Sequence, residues 1–140
     1  MAVRKEMVLE QVAAAVARDR PGDPPVVTVH AVSGPSPLWM PLLGFFLLFR
    51  VKYYFLTVTQ QGVVIHRVVK LTGRPAEAVV SLPQEHVRPL ISQVQYGTPW
   101  NNFRLHFPGE RRPTRLNVAR VWRPELEQLL HVMGVVPAPH

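Results

Sequence analysis

The chain opens with apolar residues at a period near 3.6. Within residues 3–18, Val8, Leu9, Val12, Ala15 and Val16 fall on one helical face, and the Ala13–Ala15 run favours a helix. Arg18-Asp19-Arg20-Pro21-Gly22 stops it, and Pro24-Pro25 marks a linker. From there the period falls to two. Residues 26–33 are rich in β-branched side chains and predict a strand. Residues 50–59 alternate, with Val51, Tyr53, Phe55 and Thr57 on one face and Lys52, Tyr54, Leu56 and Val58 on the other. Gln60-Gln61-Gly62 predicts a hairpin turn in which the glycine takes a positive φ. Residues 62–69 return, with Val63, Ile65 and Val69 on one side.

Residues 76–82 predict a fourth strand, broken by Pro83. Residues 87–95 predict a fifth, which Pro89 restricts to an edge or a bulge. Over residues 101–107 the alternation turns Phe103, Leu105 and Phe107 inward and Arg104 and His106 outward. Pro108-Gly109 begins a turn, and residues 114–120 return with Leu116 and Val118 inward. Pro124 then suits a first helical position, Leu126, Leu129, Leu130 and Met133 recur at i, i+3, i+4 and i+7, and Gly134 suits the stop.

These elements predict an α+β chain, mainly antiparallel β. Seven strands form a bent sheet or partly open barrel, capped by the C-terminal helix, with an extra helix at the N-terminus. The expected division is a helix and Pro-rich linker over 1–25, a domain over 26–134 with an apolar insertion at 35–49, and a tail over 135–140.

Composition narrows the chemistry. The chain has 140 residues, enough for one domain, and no cysteine, which excludes disulfides, thiolate nucleophiles and cysteine-ligated metals. The net charge of +7 is concentrated. Residues 26–75 carry +5 with no acid, and residues 100–123 carry another +5 with Glu110 as their one acid. Such blocks favour anionic partners. The apolar part of 7–17 is interrupted by Glu10 and Gln11, unlike a secretory signal, so a cytoplasmic location is expected.

Catalytic patterns are missing. Of the six histidines, none is spaced i, i+2 or i, i+4 from another, and His66 and His106 fall on outward strand positions expected to face solvent. No serine lies in a Gly-x-Ser-x-Gly context, Glu125 and Glu127 read as helix surface, and the glycines form no phosphate loop. The expectation is a non-enzymatic protein with no cofactor and no metal.

The most informative stretch is 31–49, nineteen residues without a charge. Its apolar half runs Leu38-Trp-Met-Pro-Leu-Leu-Gly-Phe-Phe-Leu-Leu-Phe49, too short and too Pro-interrupted for the roughly 20 residues of a membrane span. Three uses remain open: packing on the sheet, insertion into a membrane surface, or self-association.

Seven strands followed by one helix is the order of the pleckstrin-homology superfold. Ser33-Gly-Pro-Ser-Pro-Leu-Trp39, then the apolar run, then Lys52-Tyr-Tyr-Phe-Leu-Thr-Val-Thr-Gln-Gln-Gly-Val-Val-Ile-His66, resembles bacterial PH-like domains, many of them actinobacterial. Gly97 with Trp100, and Arg120-Val-Trp-Arg123, are similar too. Where the family usually has Asp-Arg-Arg in the turn, this chain has Gln60-Gln61-Gly62. The resemblance spans roughly 26–134 and implies a fold without an established activity. It also implies that the loops after the first, third and sixth strands gather at one open end. There, Leu38, Trp39, Leu42, Phe45, Phe46 and Phe49 would meet a membrane or a partner, ringed by Arg50, Lys52, Lys70, Arg74, Arg111 and Arg112 as anion-binding groups. The expected function is an interaction module bound peripherally to an anionic lipid surface at the inner face of the cell membrane. The alternative is a homo-oligomeric or protein-binding scaffold using the same segment. Single-stranded nucleic-acid binding by the arginines of 104–123 ranks below both, because Phe103 and Trp122 are better spent in the core and no RNP-like aromatic strand motif is present.

Overall fold

The computed structural model describes residues 2–34, 52–69, 72–97 and 100–135, with side chains from Lys5 onward. In chain order the elements are α1 (Ala2–Asp19), β1 (Pro25–Ser33), β2 (Tyr53–Thr59), β3 (Gly62–Val68), β4 (Pro75–Pro83), a helical turn α2 (Gln84–Val87), a 3₁₀ turn (Arg88–Leu90), β5 (Ile91–Gln95), β6 (Trp100–Leu105), β7 (Thr114–Ala119), a second 3₁₀ turn (Arg120–Trp122) and α3 (Arg123–Met133). The strands form one antiparallel sheet in the order β4-β3-β2-β1-β7-β6-β5. β4 and β5 are its two ends, so the sheet is bent but not closed.

Alternation decides the inner face. Val29 of β1, Leu56 of β2, Ile65 of β3, Phe103 of β6 and Leu116 of β7 all sit in one cluster at 2% exposure or less. α3 plugs it: Leu126, Leu129, Leu130 and Met133 are all buried, and each such burial contributes about 1.5–3 kcal/mol. Pro124 lies in its first turn, and Gly134 ends it in the left-handed conformation (φ 72°), its N–H donating to the His131 carbonyl at 3.1 Å.

The outer face of β1–β4 is also buried, because α1 lies across it. Val12 and Val16 meet Phe55, Val64 and Val68 in a second cluster. β2 therefore reads buried at six of its seven positions instead of alternating. The same cover corrects the expectation for His66: its position does face outward, but under α1, where it is fully buried.

The segment between α1 and β1 is fastened rather than loose. Asp23, 7% exposed, accepts from Arg20 Nε at 2.7 Å, from the Thr59 hydroxyl at 2.5 Å and from the Gln61 N–H at 2.9 Å. Burial raises the pKa of its carboxyl, but the hydrogen bonds from Thr59, Arg20 and Gln61 outweigh this and hold it below the usual carboxylate range. Arg20 also reaches Ser81 Oγ at 3.1 Å, so one arginine ties the segment to the β2–β3 hairpin and to β4.

Other expectations shift locally. Gly62 is not in a positive-φ conformation; it is needed because a Cβ there would lie 2.6 Å from the Leu82 carbonyl and 2.7 Å from the Arg20 guanidinium. Pro89 belongs to the 3₁₀ turn, so β5 starts only at Ile91. β3 ends at Val68, and Val69, expected on its inner side, is 42% exposed. Glu125 is not open surface: it pairs with Lys5 of α1, which also donates to the Val121 carbonyl at 3.0 Å and lies 4.6 Å from the Trp122 ring.

Candidate functional site

The ladder registers bring three connections to one end of the sheet. Val32 pairs with Tyr53, Tyr54 with Arg67, Val68 with Pro75, and Ser33 with Leu116. The end of β1, the start of β2, the β3–β4 connection and the start of β7 are therefore neighbours. The β6–β7 connection joins them, since Leu105 pairs with Thr114.

The mouth from which residue 35 departs and to which residue 52 returns is held by side chains. Ser33 N–H donates to the Lys52 carbonyl at 2.8 Å, and Lys52 N–H returns a bond to Ser33 Oγ at 2.9 Å. Asn117, 1% exposed, donates from Nδ2 to the Val32 carbonyl at 3.2 Å and to the Gly34 carbonyl at 3.1 Å. A buried amide in a strand is costly unless bonded, and here it bridges β1 and β7 where their ladder ends. Across the bend, the Tyr54 and Phe107 rings meet at 5.2 Å between centroids. Burial, with Glu110 nearby, pushes the Tyr54 phenol up against the opposing influence of Arg67. The β6–β7 connection is itself ordered by Gly109 at φ 87° and by His106 Nε2 donating to the Glu110 carbonyl at 2.6 Å.

Of the anticipated anion-binding groups, Lys52, Arg74, Arg111 and Arg112 are described and exposed, one or two on each of the three connections. Among the described residues none of the four forms an ion pair. Arg67 beside them pairs with Glu77 at 2.9 Å in an exposed contact of small energetic value. Arg50, Lys70, Leu38, Trp39, Leu42, Phe45, Phe46 and Phe49 lie outside the described residues.

Two polar groupings escape sequence reasoning. His66 Nε2 lies 2.7 Å from Asp19 Oδ2, joining the end of α1 to β3, and His66 Nδ1 is buried without a partner among the described residues. Arg18, with His66 contributing less, holds the Asp19 carboxyl below its ordinary range despite some desolvation. On β1, His30 packs against Tyr53, Phe55 and Trp122 with ring centroids 5.2–6.3 Å apart. Burial there lowers its pKa to about 4, so the ring is neutral near pH 7. The readable signal for both is the apolar stripe of α1, which has to cover some face of the sheet. His66 and His106 have separate partners and do not face each other as an acid–base pair would.

Among the described residues no group of three or more His, Asp or Glu is arranged to hold a metal ion. No helix among them is long and apolar enough to cross a membrane. A shallow groove between α1, the start of β1 and α3 is lined largely by apolar side chains such as Leu9, Val26 and Val27, with Glu125 at its wall. The chain matches no protein-family model, no curated protein and no solved structure.

Proposed function

We propose that the chain is a non-enzymatic, pleckstrin-homology-like interaction module that binds the anionic inner face of the cell membrane through the apolar 35–49 segment. The observation that carries this reading is the register at the open end: Gly34 and Lys52, which flank the segment, sit among connections bearing Arg74, Arg111 and Arg112. The sequence between them is uncharged from Ala31 to Phe49 and includes Trp39, Phe45, Phe46 and Phe49. An aromatic, apolar sequence whose flanks neighbour exposed cations without ion-pair partners among the described residues suits a lipid interface. Apolar side chains are buried at the acyl boundary, tryptophan favours the headgroup zone, and each nearby cation adds about 1 kcal/mol.

Vesicle co-sedimentation tests it. Binding is expected to vesicles of phosphatidylcholine with phosphatidylserine, to fall steeply in Trp39→Ala/Phe46→Ala, and to fall with salt and in Arg111→Gln/Arg112→Gln. Binding indifferent to anionic lipid sinks the reading. A concentration-dependent dimer in lipid-free sedimentation, lost in Trp39→Ala/Phe46→Ala, would assign the segment to a second copy of the chain instead.

A further inference from the structure

The outer face of β5–β6–β7 carries amides and two arginines. Among the described residues no element packs on it, and Ser92, Gln93 and Gln95 of β5 stand exposed. On β6, Trp100, Asn102 and Arg104 share this face at i, i+2 and i+4, each half-buried, because Asn101, Phe103 and Leu105 take the inner one. β7 sets Arg115 directly opposite Arg104 and Asn117 directly opposite Asn102.

Two like charges facing each other across a ladder destabilise a sheet, and among the described residues no acid neutralises them. Neither arginine has an ion-pair partner there, and β5, β6 and β7 contain no acid. Both are nonetheless aimed. Arg104 Nε donates to Gln93 Oε1 at 2.8 Å, and Arg115 Nε donates to Asn117 Oδ1 at 3.1 Å. Gln93 has φ 51°, the one non-glycine among the described residues with a positive φ, at a break in the β5–β6 register. Backbone strain at a bulge re-aims a side chain, and here that side chain is the acceptor for Arg104. With each Nε engaged by an amide, Arg104 toward β5 and Arg115 along β7, the terminal guanidinium nitrogens have no partner among the described residues and remain for external oxyanions.

We propose that this face docks single-stranded nucleic acid, with Arg104 and Arg115 taking backbone phosphates and Trp100 stacking on a base. Trp100 and Arg104 lie about 13 Å apart along one strand, a separation a short oligonucleotide spans. Asn102 lies between them and Gln95 opposite it, amides that pair with base edges and have nothing to gain from acyl chains. Such a face needs no insertion into lipid, although its Arg104–Arg115 rung adjoins the open end, next to the Leu105–Thr114 pair.

The test is fluorescence anisotropy of the full chain with labelled oligothymidylate of roughly 12 nucleotides, across a salt series. Wild type is expected to bind with a steep salt dependence. Arg104→Gln/Arg115→Gln should weaken binding about tenfold or more and make the log–log salt slope shallower by about 0.7 for each phosphate that is no longer neutralised. Trp100→Ala should weaken it about fivefold to a hundredfold, with Trp100→Phe close to wild type; the phenylalanine variant also covers any loss of folding in the alanine variant. Failure to bind the oligonucleotide at low salt overturns the proposal. So does binding unchanged in Arg104→Gln/Arg115→Gln, or equal affinity for polyglutamate of the same charge. Loss of vesicle binding rather than oligonucleotide binding in that double variant overturns it too, by making the face part of a lipid surface.

Discussion

The two halves of the sheet share one core and treat their outer faces in opposite ways. On β1–β4 the outer side chains are Phe55, Val64, His66 and Val68, and α1 closes over them. On β5–β7 they are Trp100, Asn102, Arg104, Arg115 and Asn117; no described element lies over the first four, while Asn117 is buried beside the mouth. The covered half resolves its polar groups internally: His66 with Asp19, Thr28 Oγ1 with Thr57 Oγ1 at 3.0 Å, and Asp23 with three donors. The bare half holds two facing guanidinium groups with no counter-charge among the described residues. Stability explains the first arrangement and not the second. A sheet needs cover on one face only, so the second cover on β1–β4 adds to structure, while the charge pair on β5–β7, without a counter-charge among the described residues, is what the nucleic-acid proposal rests on.

The sharpest way to break this comparison is to place the same charge on each face. Val16→Asp sets a carboxylate against Phe55 and Val64 and is expected to cost about 4 kcal/mol or more in urea unfolding. Asn102→Asp on the bare face should stay within about 0.5 kcal/mol. Comparable costs would mean that the β5–β7 face is also covered.

Asp23→Ala comes next, at about 2–4 kcal/mol, because it leaves the Thr59 hydroxyl, the Gln61 N–H and Arg20 without their acceptor. The pH dependence follows. His30 titrates near 4 when folded and near 6.5 when unfolded, so the unfolded chain takes up its proton first as pH falls. Stability from this group is complete above about pH 6.5 and is lost between there and about pH 4, by at most about 3 kcal/mol. His30→Phe should flatten that window in thermal melts recorded against pH. The smallest effect has the opposite sign: Arg104→Gln should stabilise the fold by about 0.2–0.5 kcal/mol, through relief of the facing charge on Arg115. A destabilised Arg104→Gln would show that the pair is structural.

Sequence pattern makes the seven strands, α3 and its leucine stripe legible, because period and turn chemistry are local. The α1 helix is legible as an element, but its destination is not. Val12 and Val16 announce an apolar stripe, yet only the ladder register shows that Phe55, Val64 and Val68 receive it. The position of His66 misleads for that reason, since an outward strand residue is exposed only if no other element lies over it. Gly62 is legible as a turn residue, but its requirement is a close approach by Leu82 and Arg20, two partners distant in sequence. At the open end the exposed cations are legible from their strand-end positions. The Arg104–Arg115 pairing is not, because strand spacing gives the face of a residue but not its neighbour on the next strand.

The Lys5–Glu125 pair joins groups 120 residues apart in the chain, and it carries a consequence for biosynthesis. α1 leaves the ribosome before the strands and the α3 helix against which it docks. At about 5–20 residues per second, roughly 6–24 s separate the translation of Lys5 from that of Glu125. Throughout that interval Val12 and Val16 lack part of the structure that covers them in the folded protein.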